Sequence, residues 1–134
     1  MEEKVFDKVV EGGSENARKN KVGTGREPGT QMGPLVSEEQ LNRVCSYLES
    51  GLSEGAKATV GGERHGDKGY FVKPTVLVNT NDKMKVVQEE IFGPVVTAIP
   101  FRDSEDLISQ ANDSVYGLAA GVWTPHVTNA HSHA

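Results

Sequence analysis

Hydrophobic residues recur every three or four positions in several parts of this chain, and that period places them on one face of a helix. The clearest case opens at Ser37, which stands three residues before Gln40 in the pattern of a capping box. In all, the period predicts helices over residues 2–19, 37–54, 103–112 and 125–134. Gly12 and Gly13 interrupt the first helix and weaken its second half by about 1 kcal/mol each.

Shorter apolar runs, alternating or continuous, predict strands at residues 57–60, 71–78, 95–101 and 118–123. Pro74 within the second run argues for an edge position or a bulge. The third run is apolar on both faces, which is typical of a parallel strand with helices on both sides. A helix leads from it to the fourth strand, so we expect a right-handed crossover, with Tyr116 and Trp123 in the core.

These elements together predict an α/β fold, with a mostly parallel sheet flanked by helices, in one partial domain over residues 1–134. The last helix would open with Thr124 as its N-cap and Pro125 at its first position. Its inward residues would be Val127, Ala130 and Ala134. Nothing caps its last carbonyls, so we expect the sequence to be a piece cut from a longer chain.

Composition narrows the possible functions. The 134 residues are 36% hydrophobic and 25% charged, as in a soluble globular protein. A net charge of −5 without a basic patch argues against nucleic acid and anionic membranes as partners. The first residues do not resemble a signal peptide, and no apolar run reaches the roughly 18 residues of a membrane span, so we expect a cytoplasmic protein.

Cysteine and histidine are the first candidates for chemistry, and neither predicts a site. Cys45 is the only cysteine, and it lies on the apolar face of its helix, where burial raises the pKa of a thiol, so we interpret it as structural. His126 and His133 are seven residues apart and could face one metal ion, but His131 could not join them. No carboxylate accompanies them to orient a ligand, so no metal site is predicted.

The segment 89–96 combines two carboxylates, an aromatic ring and a Gly-Pro corner with an apolar run. In an extended chain the side chains alternate, so Glu90 would share a face with Phe92 while Glu89 shares one with Ile91. One interpretation is a binding site formed by Glu90 and Phe92 at the mouth of a strand. The other is that both glutamates are solvated loop charges and Phe92 is an ordinary core residue.

Most of this segment, Glu89-Glu90-Ile91-Phe92-Gly93-Pro94-Val95, resembles the C-terminal part of the catalytic region of NAD(P)-dependent aldehyde dehydrogenases. The resemblance extends in the family's order over nearly the whole chain. Its other motifs are Met32-Gly33-Pro34-Leu35-Val36, Glu54-Gly55-Ala56-Lys57, Gly61-Gly62, Gly69-Tyr70-Phe71-Val72-Lys73-Pro74-Thr75, Met84, Ala111-Asn112, Tyr116-Gly117-Leu118-Ala119-Ala120 and Val122-Trp123-Thr124.

The resemblance implies a fragment of an enzyme that oxidises an aldehyde to a carboxylic acid with NAD or NADP, through a cysteine thiohemiacetal. It implies that Glu90 accepts hydrogen bonds from the nicotinamide ribose and that Phe92 packs beside that ribose. The parent would be a homo-oligomer acting on a small aldehyde. The family's nucleophile, general base, oxyanion asparagine and main cofactor domain have no matching motif here, so we expect the isolated chain to be inactive. A non-catalytic binding or assembly module with the same fold is the alternative.

Overall fold

The computed structural model describes residues 1–132, so the predictions for His133 and Ala134 lie outside the described residues. The elements in chain order are α1 (Glu3–Lys19), α2 (Glu38–Ser53), β1 (Lys57–Val60), β2 (Thr75–Val78), α3 (Lys85–Gln88), β3 (Val95–Thr97), α4 (Ser104–Asn112) and α5 (Val127–Ser132). No helix in this described part of the chain combines the length and the apolar character needed to cross a membrane.

The three strands form a small sheet in the order β1-β2-β3, and the predicted α/β class is confirmed. β2 and β3 pair in parallel, whereas β1 and β2 pair antiparallel. The edge position or bulge predicted for the strand with Pro74 is wrong, because β2 is the central strand and the irregularity lies in β1, between Ala58 and Val60. Pro74 precedes the first residue of β2 and so removes no donor from the ladder.

Helices cover both faces of this sheet. On one face Leu77 is fully buried in a core shared with α2 and α3, and on the other face Val76 lies beside Val9 and Val10 of α1. α1 runs unbroken through its two glycines, and tertiary contacts explain why. Ser14 Oγ lies 2.6 Å from Thr59 Oγ1, and Arg18 Nη2 donates to Thr59 O at 2.8 Å.

α2 is the centre of the core, as its period predicts. Ser37 Oγ accepts a hydrogen bond from Gln40 N at 3.1 Å and caps the helix. Leu41, Val44 and Leu48 on its inner face are each at most 3% exposed. This buried face gives the neighbouring loops a rigid support.

The structure corrects the predictions made for the C-terminal part of the chain. α4 begins after Asp103, whose side chain accepts from Asp106 N, as predicted. The strand predicted at residues 118–123 is absent, and with it the crossover. Trp123 is 98% exposed and Tyr116 41%, so neither is a core residue. No strand among residues 1–132 lies beside this segment to pair with it, and an apolar run without a pairing partner does not form a strand.

The last helix also differs from its prediction. Thr124 Oγ1 accepts from His126 N at 3.2 Å, a cap-like contact, but α5 begins at Val127, two residues after Pro125. Val127 was predicted to point inward, yet it is 71% exposed. This helix therefore adds no buried apolar residue to the core formed by α2, α3 and the sheet.

Candidate functional site

Residues 89–94, here called the box, form the loop that joins α3 to β3. This loop lies against α2. Two side chains of α2 hold its backbone. The Gln40 amide donates to Ile91 O and to Phe92 O, both at 3.0 Å, and Arg43 Nη2 donates to Glu90 O at 3.3 Å. The sequence pattern predicts that Gln40 belongs to a capping box, but its side chain bonds this loop and not the backbone at the start of α2. These bonds fix three consecutive carbonyl groups of the box.

The first carboxylate of the box is also held by α2. Tyr47 Oη donates to Glu89 Oε2 at 2.5 Å, and Tyr47 is only 5% exposed. Arg43 lies 5.6 Å and Lys85 Nζ 5.0 Å from the centre of the tyrosine ring. The bond to Glu89, followed by burial, raises the pKa of Tyr47 above its ordinary value.

The second carboxylate of the box, that of Glu90, is not held in this way. Glu90 is half-buried, and no group within residues 1–132 forms a hydrogen bond or an ion pair with its side chain. Ile91 is 9% exposed and packs in the core, while Phe92 is 66% exposed. The two neighbouring carboxylates therefore differ: Tyr47 of α2 engages Glu89, while Glu90 is available as an acceptor.

The backbone of the box turns earlier than the sequence indicated. Phe92 has a φ of 53°, a left-handed conformation that is rare for an aromatic residue, so the turn includes Phe92 and not only the Gly-Pro corner. Gly93 is required by packing, because a Cβ there would lie 2.7 Å from Val44 Cγ2. Pro94 O then accepts from Thr75 N at 2.8 Å, which joins the box to the start of the β2–β3 pair.

An open pocket of about 400 Å³ lies beside the Phe92 ring. It has a mainly apolar lining, formed by Met32, Gly33, Leu35, Val72, Phe92, Gly93 and Pro94. The loop that contains Met32 is thereby brought next to the box, although sixty residues separate Met32 from Phe92.

Cys45 and the histidines remain apart from this site. Cys45 is half-buried against the core, and burial, followed by the charge of Glu49, raises the pKa of its thiol. His126 and His131 are exposed. Across residues 1–132, no three side chains of the types His, Cys, Asp and Glu are grouped so as to hold a metal ion.

Sequence reasoning missed the residues that hold the box. Gln40, Arg43 and Tyr47 are spaced by three and four positions, so they lie along one face of α2. That spacing of polar groups beside the apolar stripe was a usable signal for a supporting face. It could not show which loop the face supports, because the bonded residues are 42 to 52 positions away in sequence.

Comparisons with known proteins agree on one family. The profile of the aldehyde dehydrogenase family matches residues 1–134. The putative aldehyde dehydrogenase DhaS of Bacillus subtilis is 50% identical over 126 residues, which cover 94% of this chain and 26% of that protein. The mitochondrial aldehyde dehydrogenase of Leishmania tarentolae is 44% identical over 97% of this chain and 26% of its own length. The chain thus spans about a quarter of these relatives.

Solved structures show the same likeness in three dimensions. An NAD+ complex of an aldehyde dehydrogenase from Bacillus cereus superposes with a TM-score of 0.94 at 50% identity, covering 98% of this chain and 27% of that one. Betaine aldehyde dehydrogenase from Staphylococcus aureus, in complex with NAD+, gives a TM-score of 0.92 at 38% identity, with coverage of 98% and 27%.

Proposed function

The chain belongs to the aldehyde dehydrogenase family, and we propose that its box at residues 89–94 holds the nicotinamide ribose of NAD or NADP. The enzyme of which it forms a part would oxidise a small aldehyde to a carboxylic acid. The observation that carries the proposal is the difference between two neighbours: Glu89 is bonded by Tyr47, while Glu90 has no partner in the described part of the chain.

The residues present fit this ligand. An ionised carboxylate accepts charge-assisted hydrogen bonds, and its two oxygens can receive both hydroxyl groups of a ribose. Phe92, two residues further along the chain, has an exposed ring that can border the apolar edge of a sugar. The carbonyl groups on both residues are fixed by α2, so the site loses little freedom when a ligand binds.

The chain's own contribution to the reaction is positioning. In such enzymes the nicotinamide ring accepts a hydride from the substrate. Glu90 and Phe92 would restrict the ribose and so limit the positions that the attached ring can reach, and a misplacement of about 1 Å can lower a rate by roughly a hundredfold. Cys45 does not serve as the nucleophile in this proposal, because partial burial against the core raises the pKa of its thiol.

The test compares two isosteric substitutions in a complete enzyme. We would place this chain in the Bacillus cereus aldehyde dehydrogenase, in exchange for the matching segment, and measure kcat and the KM for NAD with acetaldehyde. Loss of a hydrogen bond to a charged group costs about 1.5 to 3 kcal/mol, so Glu90→Gln should lower kcat/KM for NAD by at least about tenfold. Glu89→Gln should lower it by less than about threefold, because the amide oxygen still accepts from Tyr47.

Phe92→Ala should act in the same direction as Glu90→Gln. The reverse order, with a severe Glu89→Gln and a mild Glu90→Gln, would show that the box presents the other carboxylate. An exchanged enzyme with wild-type cofactor kinetics in both variants would favour the alternative, a binding or assembly module in which this box does not contact the cofactor.

A further inference from the structure

Building on the proposed function, we propose that Tyr47 is a positioning residue for the cofactor site: its hydroxyl group engages Glu89 and thereby leaves Glu90 as the free acceptor. Tyr47 lies in the third turn of α2, and Glu89 is the first residue after α3. The bond between them spans 42 positions of sequence and measures 2.5 Å.

The tyrosine is a rigid anchor. Its side chain is 5% exposed and belongs to the same buried cluster as Val44 and Leu48. The positive groups of Arg43 and Lys85 lie near its ring, at 5.6 Å and 5.0 Å from the ring centre. Attraction of a cation to an aromatic ring contributes to the orientation of both partners. The hydroxyl group therefore reaches the start of the box from a fixed position.

This contact differs in kind from the other bonds between α2 and the box. Gln40 and Arg43 bind carbonyl groups, so they hold the backbone without distinguishing one side chain from the next. Tyr47 instead binds a carboxylate. Without its hydroxyl group, both neighbouring carboxylates would be free, and a small rotation of the backbone would let Glu89 compete with Glu90 for the ribose.

Two substitutions remove the contact from opposite sides. Tyr47→Phe removes the donor and keeps the buried ring, whereas Glu89→Ala removes the acceptor. In the exchanged enzyme, Tyr47→Phe should raise the KM for NAD by about three- to tenfold with a smaller change in kcat, since the loss falls on binding. Glu89→Ala also removes the competing carboxylate, so it should leave the KM within about twofold of the unsubstituted value, and the double variant should resemble Glu89→Ala rather than Tyr47→Phe. Tyr70→Phe, which removes a hydroxyl group from an exposed tyrosine, is the matched control.

A measurement without the cofactor separates this inference from the function on which it rests. In the 134-residue chain, the backbone order parameter of Glu89 should fall in Tyr47→Phe from about 0.85 towards about 0.6, with no fall in the control. An unchanged order parameter would overturn the inference, whatever the kinetics show.

The kinetic outcomes complete the test. A KM in the double variant as high as that of Tyr47→Phe, or a loss of thermal stability in Tyr47→Phe with an unchanged KM, would also overturn the inference while the role of Glu90 stands. If Glu90→Gln itself leaves cofactor kinetics unchanged, the proposed function fails. The positioning role of Tyr47 then fails with it, even where the order parameter falls.

Discussion

Replacing Gly93 by alanine should destabilise the fold, although alanine is tolerated by the backbone of most loops. The added Cβ would lie 2.7 Å from Val44 Cγ2 and 2.9 Å from Val44 Cγ1, well inside normal contact distance. Val44 is fully buried in the middle of α2 and cannot move away. Overpacking of this kind costs about 1 to 3 kcal/mol. Alanine also reduces the entropy of the unfolded chain, which offsets about 0.4 to 1 kcal/mol of that loss.

Values from the middle of both ranges leave a net loss of about 1 to 2 kcal/mol. It can be measured by urea denaturation of the 134-residue chain followed by circular dichroism. With a slope of about 2 kcal/mol per molar urea, the midpoint should fall by roughly 0.5 to 1 M. Gly117→Ala is the control, because a Cβ there meets no atom within 4 Å. It should leave the midpoint unchanged or slightly higher.

A second substitution tests whether the close contact with Val44 causes this loss of stability. Val44→Ala alone creates a cavity and lowers stability, but it also makes room for a Cβ at residue 93. Adding Gly93→Ala to Val44→Ala should therefore cost nothing, which gives a coupling of about 1 to 2 kcal/mol between the two sites. Equal midpoints for Gly93→Ala and Gly117→Ala would refute the close contact between the box and α2.

Three further results are expected of the same chain. Gly12→Ala should raise the free energy of unfolding by about 1 kcal/mol in the same urea assay, because Gly12 is an exposed position inside α1 where a Cβ meets nothing; a loss of stability would contradict this. Cys45 should react with a thiol reagent at neutral pH several-fold more slowly than it does in denaturant, because its raised pKa lowers the thiolate fraction; equal rates would reopen its candidacy as a nucleophile. The chain should bind a hydrophobic dye and self-associate through the exposed apolar residues of α1 and β3, and Val96→Lys on the edge strand should reduce both; a monomer that binds no dye would contradict the prediction.

Local signals account for the elements that could be predicted from the sequence. α2 and α4 each begin at a residue whose side chain caps the first turn, and both were found with their caps. The strand predicted at residues 118–123 was wrong because strand formation depends on a neighbour in space, and a run of apolar residues carries no information about that neighbour. Contacts distant in sequence can also preserve an element that the local sequence disfavours. Two glycines weaken α1, but the contacts of Ser14 and Arg18 with Thr59 maintain the helix.

The candidate site was predictable in its exposed half only. Glu90 and Phe92 were nominated from the alternation of an extended chain together with the family resemblance, and their role in binding stays a prediction. The α2 side chains that hold the box were not predicted. Gln40 and Tyr47 look like ordinary polar positions of an amphipathic helix, and only the folded structure brings them to Ile91 and Glu89.

The anchoring of the box by α2 also bears on when the box takes its shape during folding. Each of these hydrogen bonds closes a loop of 42 or more residues, and contacts so far apart in sequence form slowly because a long segment must first be ordered. During synthesis, α2 is complete some 35 residues before Glu89 is added. The helix can therefore already be formed when the residues of the box leave the ribosome. A short peptide that contains only residues 85–97 lacks every one of these bonds and would not reproduce the site.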